Sequence, residues 1–189
     1  MNQIVFATNN PNKLKEIRQK IGDQFEILSL KDIDCTEELP ETHETLKENA
    51  IEKAEYVAKN YKVDCFADDS GLMVDALNGE PGVYSAMYSG TRDAQDNMDK
   101  VLSNLEDKPE RSASFTTIIA LVKSGETITF EGKVEGAITV TKSGVDGFGY
   151  DPIFQPKGFN ITFAEMTASE KNAISHRGKA VEQLVDYLK

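Results

Sequence analysis

Short runs of β-forming residues alternate along this chain with segments whose apolar residues recur at helical spacing. The first pair is the clearest, because the run at 3–8 (QIVFAT) is followed by Leu14, Ile17 and Ile21 at helical spacing. This alternation predicts an α/β fold. Further β-rich runs lie at residues 25–30, 63–67, 113–122 and 127–140, and helical patterns cover residues 42–60, 98–105 and 180–188.

The two longest β-rich runs, 113–122 and 127–140, are separated by a short turn that contains Ser124 and Gly125. This arrangement predicts a hairpin and therefore an antiparallel part in the sheet. A length of 189 residues suits one folding unit. We therefore expect residues 1–189 to form a single domain.

Charge and cysteine content exclude several classes of protein. The chain has 21 Lys and Arg against 32 Asp and Glu, a net charge of −11, which argues against binding a nucleic acid polymer. No apolar run approaches the roughly 18 residues of a membrane helix, and the N-terminus lacks a secretory pattern. We expect no membrane association and a cytoplasmic location. Cys35 and Cys65 fit neither a disulfide framework nor a zinc site.

The segment TNNPNK, residues 8–13, is a polar turn between the first strand and the first helix. Asn10 is a good N-cap and Pro11 suits the first helical position. Such a turn directs backbone N–H groups at an anion, and phosphate is the natural ligand. Lys13 in the first helical turn opposes the helix dipole unless an anion compensates it. An ordinary capped turn with a solvated lysine is the alternative.

Three acidic residues mark a candidate metal site. Asp68 and Asp69 follow the β-rich run at 63–67, and we expect the strand to end there, at an edge where open α/β sheets bind ligands. Glu41 lies in the polar loop before the second helix. Oxygen ligands without His or Cys favour Mg²⁺, whose shell is completed by water and substrate phosphates. A solvated acidic turn is the alternative.

The segment around Lys171, His176 and Arg177 allows two interpretations. One continuous helix from residue 167 would place these three side chains on different faces. If Ser175 instead caps a new helix, His176 and Arg177 lie in its first turn, where cations favour a bound anion.

The glycine-rich segment GFGYDPIF, residues 147–154, combines aromatic rings with an acidic residue. Phe148 and Tyr150 would stack a flat base, and Asp151 would read its edge. Packing of these rings in the core is the alternative. Together with the phosphate turn, the lysines and the acidic residues, this segment supplies the parts that a nucleoside triphosphate requires.

Five ordered motifs resemble the inosine triphosphate pyrophosphatase family, which includes the bacterial dITP/XTP pyrophosphatases. They are ATNNPNKLKEI, ETHETLKENAIEKA, FADDSGLMVDALNGEPGVYSA, GFGYDPIF and EKNAISHR. The resemblance implies a homodimer of an α/β protein with an elongated mixed β-sheet flanked by helices, in two lobes with a central cleft. It also implies Mg²⁺-dependent hydrolysis of non-canonical purine nucleoside triphosphates (ITP, dITP, XTP) to the monophosphate and pyrophosphate.

The motif positions also imply roles for individual residues. Asp69 is the catalytic base, and Glu41, Asp68 and Asp69 bind Mg²⁺. His176 and Arg177 help to select a purine with a 6-keto group. The full substrate-binding set is Thr8, Asn9, Asn10, Pro11, Asn12, Lys13, Lys53, Ser70, Phe148, Gly149, Tyr150, Asp151, Lys171, His176 and Arg177.

Two positions depart from the family pattern. Met87 stands where the family commonly has arginine, and His43 stands where a glycine is usual.

Two alternative functions stay open. One is a pyrophosphatase for another nucleotide, such as a pyrimidine triphosphate, and the other is a nucleotide-binding protein without catalysis.

Overall fold

The computed structural model describes residues 2–189, which form a mixed α/β fold with a six-stranded sheet. The strand order is β2-β1-β3-β4-β5-β6. β1 pairs in parallel with β2 and β3, and β6 pairs antiparallel with β5, so the predicted mixed sheet is confirmed. The strands are β1 (Gln3–Phe6), β2 (Glu26–Leu28), β3 (Cys65–Val74), β4 (Ser112–Lys123), β5 (Glu126–Ile138) and β6 (Phe154–Pro156).

The predicted helices are present. Each of the first four helices begins directly after a residue whose side chain caps it. The second helix begins at residue 46 rather than 42, because the side chain of Thr45 accepts the N–H of Glu48 and caps it. Within residues 2–189, no helix is long and apolar enough to cross a membrane. The helices are α1 (Pro11–Ile21), α2 (Leu46–Tyr61), α3 (Ala94–Asn104), α4 (Ala168–Ile174) and α5 (His176–Leu188).

The chain divides into two compact units. Unit 1 comprises the described residues up to Asp69 together with Thr117–Gly132 and Arg177–Lys189, and unit 2 comprises Ser70–Thr116 and Lys133–His176. Each unit has its own apolar core. The core of unit 1 includes Phe6, Ile17, Phe66, Ile119 and Leu184, and that of unit 2 includes Leu72, Met98, Phe115, Phe154 and Phe163. That residues 1–189 act as a single domain stays a prediction.

The third strand does not end at the acidic pair, as the sequence had predicted. β3 continues through Asp68 and Asp69 to Val74, and both aspartates are buried. Acidic residues are unfavourable in a buried strand unless their charges are compensated. Here Asp68 forms ion pairs with Lys13 and Arg177. These partners are distant in the sequence, so a local pattern could not reveal them.

The predicted hairpin is confirmed between β4 and β5. Its turn consists of Ser124 and Gly125, which have φ angles of 52° and 84°. Type I′ turns, which join two strands through two residues and match the twist of those strands, require a positive φ at both central residues. The short strand β6, which begins at the end of the glycine-rich segment, was not predicted.

Both cysteines are buried and neither forms a disulfide, as expected. Burial raises the pKa of the Cys65 thiol to about 12, which keeps it protonated and unreactive.

Candidate active site

The turn between β1 and α1 contains the first group of predicted phosphate-binding residues. Asn10 caps α1, because its Oδ1 accepts the N–H groups of Asn12 and Lys13 at 2.9 and 3.3 Å. Pro11 is the first helical residue. Thr8 Oγ1 accepts the N–H of Asn10 at 3.1 Å. The cap thus uses two of the N–H groups that we expected to face an anion, since a good N-cap side chain is itself an acceptor.

A buried group of four charged side chains lies within unit 1. Asp68 is 1% exposed, and its Oδ1 is 3.1 Å from Lys13 Nζ while its Oδ2 is 3.3 Å from Arg177 Nε. Arg177 Nη1 also donates to Glu16 Oε2 at 2.5 Å. α1 supplies Lys13 and Glu16 three residues apart, and therefore on the same helix face. Two cations and two carboxylates balance one another in this group.

The pKa values in this group reflect burial and pairing. Burial is the largest influence on Lys13 and lowers its pKa below the ordinary value, although Asp68 raises it. Burial also opposes ionisation of Asp68, but Lys13, Arg177 and other cations outweigh it and hold the pKa of Asp68 well below its usual range. Burial would lower the pKa of Arg177, while Asp68 and Glu16 raise it. Asp68 is therefore ionised at neutral pH.

A second set of contacts surrounds Lys53, which is buried on α2. Its Nζ donates to Glu41 Oε1 at 2.5 Å and to the backbone oxygen of Asp68 at 2.7 Å. Asp69 Oδ1 lies 3.9 Å from the same ammonium. Burial would lower the pKa of Lys53, but the carboxylates of Asp69 and Glu41 outweigh it and raise this pKa. Lys53 therefore draws two carboxylates, Glu41 and Asp69, toward one point.

Asp69 differs in charge state from its neighbour. Burial raises the pKa of Asp69 to about 6, and the cations Lys53 and Lys13 only partly oppose this effect. The carboxylates of Glu41 and Asp68 raise it further. A carboxyl group with a pKa near 6 is ionised at neutral pH and accepts a proton more readily than an ordinary aspartate. Asp69 has the properties of a general base.

The carboxylates near Lys53 are candidate ligands for a divalent cation. Glu41 and Asp69 both approach Lys53 Nζ, so two carboxylates already converge on a positive charge. No group of three His, Cys, Asp or Glu side chains with metal-binding geometry occurs in residues 2–189. Both oxygens of Asp68 contact cationic side chains, so Glu41 and Asp69 suit a metal better, and the role of Asp68 as a metal ligand stays a prediction. Two carboxylates suit Mg²⁺, which keeps several waters and takes further oxygens from phosphates.

In unit 2, Asp151 and Lys171 form a buried ion pair. Lys171 Nζ lies 2.6 Å from Asp151 Oδ2, and both side chains are at most 6% exposed. The same oxygen accepts the N–H of Phe148 at 2.9 Å. Lys171 Nζ also lies 4.8 Å from the centre of the Phe148 ring. Asp151 therefore fixes both the loop that carries Phe148 and the ammonium beside it.

The two rings of the glycine-rich segment have different environments. Phe148 is half-buried, whereas Tyr150 is 6% exposed and belongs to the core of unit 2. The hydroxyl of Tyr150 donates to the backbone oxygen of Ser85 at 2.6 Å. For Tyr150 the core alternative therefore applies, and Phe148 alone keeps the role of a stacking surface. Gly149 between them has a φ of 60°.

The segment that follows Lys171 is interrupted, as the second interpretation predicted. α4 ends at Ile174, and α5 begins at His176 after Ser175. The imidazole of His176 stacks on Phe115, with ring centres 4.7 Å apart and planes inclined by 13°. His176 and Arg177 are consecutive residues at the start of α5, as expected.

Other predicted or unusual positions are less constrained. Asn9 is exposed in the β1–α1 turn, and Ser70 is half-buried in β3 next to Asp69. Met87 and His43, which depart from the family pattern, are both about half exposed.

Sequence reasoning missed Glu16, which contacts Arg177. A usable signal existed, because Glu16 lies three residues after Lys13 and shares its helix face. Its partner lies 161 residues away, so only the three-dimensional structure identifies the pair.

Comparison with known proteins gives one consistent result. The model of the Ham1 family matches residues 4–187. A dITP/XTP pyrophosphatase of Flavobacterium johnsoniae is 54% identical over 187 residues, covering 98% of this chain and 97% of that protein. A dITP/XTP pyrophosphatase of Flavobacterium psychrophilum is 52% identical over 188 residues and 99% of both chains.

A solved structure agrees with these sequence matches. The HAM1 protein of Coxiella burnetii superposes with a TM-score of 0.90 at 40% identity, covering 100% of this chain and 98% of that chain. Both the fold and the full-length sequence identity therefore place the chain in one family. This protein belongs to the Ham1 family.

Proposed function

We propose that this protein hydrolyses dITP, XTP and related non-canonical purine nucleoside triphosphates to the monophosphate and pyrophosphate. The observation that carries the proposal is Asp69, a carboxyl group with a pKa of about 6 held beside the buried ammonium of Lys53 in unit 1. The full-length identity to relatives named dITP/XTP pyrophosphatase supports the same reaction. This reaction removes non-canonical nucleoside triphosphates from the nucleotide pool.

The cations of unit 1 bind the triphosphate. Lys13 and Lys53 offset the negative charge of the phosphates. We assign Arg177 to the same group of cations rather than to selection of the base, because its guanidinium contacts Asp68 and Glu16 in unit 1. Thr8 and the asparagines of the β1–α1 turn supply neutral donors near the positive end of the α1 dipole. Ser70, the residue after Asp69, adds a hydroxyl.

Asp69 orients and deprotonates a water molecule. The water oxygen forms a bond to the α-phosphorus, the bond from that phosphorus to the bridging oxygen breaks, and pyrophosphate leaves. The proton of the water passes to an Asp69 oxygen. A base with a pKa near 6 is ionised when the cycle starts and still basic enough to take this proton.

Mg²⁺ is the expected cofactor, and Glu41 with Asp69 would hold it. A bound Mg²⁺ polarises phosphoryl oxygens and neutralises their charge. Glu41 and Asp69 both lie near the ammonium of Lys53, so Lys53 offsets part of the negative charge of these two carboxylates.

Residues of unit 2 recognise the base. Phe148 stacks on the purine ring, and the buried Asp151–Lys171 pair holds a hydrogen-bond donor beside that ring. Lys171 and His176 suit a 6-keto oxygen, which accepts hydrogen bonds. A 6-amino group is itself a hydrogen-bond donor and cannot accept from these side chains. Such a mismatch gives strong discrimination against adenine nucleotides.

A substrate panel tests the proposal. Purified protein with Mg²⁺ is given dITP, XTP, dTTP and ATP, and pyrophosphate and orthophosphate are measured separately. We expect pyrophosphate from dITP and XTP, much slower turnover of ATP and dTTP, and loss of activity with EDTA. A preference for dTTP would favour a pyrimidine nucleotide pyrophosphatase. Binding of dITP without turnover would favour a non-catalytic nucleotide-binding protein.

A homodimer and a cytoplasmic location complete the proposal. Family resemblance supports the homodimer, and the use of free nucleotides as substrates supports the location.

A further inference from the structure

Residues 37–43 of unit 1 form no helix or strand, yet they are attached to α2 at four points. This segment contains Glu41, the candidate metal ligand. Each attachment joins one residue of the segment to one side chain of α2. The pairs are Glu37 with Tyr56, Glu41 with Lys53, Thr42 with Glu52, and His43 with Asn49.

The four α2 residues in these pairs are spaced at i, i+3, i+4 and i+7, and therefore share one helix face. Their partners follow in the reverse order along the chain. Residues 37–43 thus run antiparallel to α2 along a polar stripe. Tyr61, one turn further on, adds a hydrogen bond of 2.7 Å to Glu37.

Two of the attachments lie directly next to Glu41 on its C-terminal side, and each consists of two hydrogen bonds. Glu52 accepts twice from Thr42, with Oε2 at 2.9 Å from the backbone N and Oε1 at 2.8 Å from the hydroxyl. Asn49 Oδ1 accepts the N–H of His43 at 2.9 Å, and Asn49 Nδ2 donates to the backbone oxygen of His43 at 3.1 Å. Backbone groups without a regular partner are thereby satisfied by two side chains.

We propose that Glu52 and Asn49 are positioning residues for Glu41, which hold residues 42–43 on α2 and so present the Glu41 carboxylate beside Lys53. Both residues act on the backbone and neither is assigned a contact with substrate or metal. The structural part of the proposal stands on these hydrogen bonds, whereas its consequence for turnover rests on the proposed function.

The unusual residue His43 fits the same arrangement. Its Nε2 lies 3.9 Å from Glu52 Oε2, so the imidazole and the backbone of Thr42 approach one carboxylate. The backbone of His43 is bound on both its N–H and its C=O by Asn49. The replacement of the usual glycine therefore leaves this segment attached.

The test compares Glu52→Ala with Glu55→Ala, which removes the same kind of side chain from the same helix. Glu55 is an exposed residue whose carboxylate binds Thr127, away from residues 37–43. Glu52→Gln is the conservative variant, since its amide oxygen accepts the Thr42 N–H and its NH₂ group donates to the Thr42 hydroxyl. Urea unfolding of each variant establishes that it folds.

Two readouts are used. Amide hydrogen exchange of a peptide spanning residues 37–45 reports the attachment directly and needs no substrate. We expect faster exchange in Glu52→Ala and wild-type exchange in Glu55→Ala and Glu52→Gln. Steady-state kinetics with dITP and Mg²⁺ should give a loss of about 10-fold in kcat/KM for Glu52→Ala alone, the size typical of residues that orient a metal ligand.

A double-mutant cycle decides whether Glu52 acts through Glu41. In a Glu41→Ala background, Glu52→Ala should lower kcat/KM by roughly two-fold or less, because the group it positions is gone. Unchanged exchange in Glu52→Ala, or an equal loss of activity in both backgrounds, would overturn the proposal. If the wild-type protein released no pyrophosphate, the proposed function would fail, while the exchange comparison would still decide whether Glu52 holds the segment.

Discussion

Asp68 and Asp69 are adjacent residues of one strand, yet their carboxyl groups have opposite pKa shifts. Successive strand residues face opposite sides, so each aspartate has its own surroundings. Asp68 forms two direct ion pairs and stays ionised, whereas at Asp69 burial outweighs the opposing effect of the ammonium groups of Lys53 and Lys13. Asp68 thus pairs with cations, whereas Asp69 has a pKa that suits the proposed proton transfer.

The pKa of Asp69 predicts the pH dependence of turnover. Asp69 must be ionised to accept a proton, so kcat/KM for dITP should fall about tenfold per pH unit below pH 6 and level off above it. Asp69→Asn should reduce kcat at least about 100-fold at pH 7 and above, where Asp69 of the wild type is ionised. Its free energy of unfolding at neutral pH should not decrease, because the variant no longer buries a charge. Near-normal hydrolysis by this variant would refute the role of Asp69 as the base.

Asp68 should contribute to stability rather than to proton transfer. Asp68→Asn removes the carboxylate from Lys13 and Arg177 and should lower the free energy of unfolding by roughly 3–5 kcal/mol at neutral pH. Because folding lowers the pKa of Asp68, its contribution is present above the ordinary pKa near 4 and declines as the pH falls. Urea unfolding at pH 7 and at pH 3 should show a smaller difference between wild type and variant at the lower pH. A constant difference would contradict this explanation.

Among the elements, β1, α1 and the turn between them were predictable, whereas the extent of β3 was not. Asn10 and Pro11 are local capping signals, and both act as the sequence indicates. The acidic pair is a misleading local signal, because its cations come from positions 55 and 109 residues away in the sequence. Helix caps and turns are predictable from a few neighbouring residues. The compensation of charges in a buried strand depends instead on the tertiary fold.

Substitutions at Asn10, the N-cap of α1, can distinguish an effect on stability from an effect on phosphate binding. Asn10→Ser and Asn10→Asp both keep a capping oxygen, so each should unfold within about 0.5 kcal/mol of the wild type. The aspartate adds a negative charge near the triphosphate and should raise KM for dITP about 5-fold, which corresponds to ~1 kcal/mol of repulsion between exposed charges. The serine variant is the control for loss of the amide. An equal KM for the two variants would mean that the turn does not face phosphate.

For the whole molecule, the class of fold was predictable from the sequence, but the assignment of the candidate site residues to two separate units was not. Asp69, the proposed base, and the cations near it lie in unit 1, and the Asp151–Lys171 pair lies in unit 2. The chain passes between the units at four points, which lie inside β3 after Asp69, inside β4 after Thr116, inside β5 after Gly132 and at the start of α5 after His176. No composition change marks these boundaries, because the chain enters and leaves each unit within continuous elements.

Net charge and exposed apolar residues together predict how two copies associate. Chains of net charge −11 repel, so a homodimer must depend on apolar contact and should strengthen as salt screens that repulsion. In unit 2, Tyr84 and Met87 lie in one 3₁₀ segment and are 65% and 46% exposed. Met87→Glu should therefore weaken association about 10-fold or more in sedimentation velocity experiments. Val145→Glu, at a 96% exposed position of the same unit, is the matched control and should leave the dimer intact. Equal weakening by both variants would assign the effect to added charge alone, and a monomer at every salt concentration would exclude the dimer.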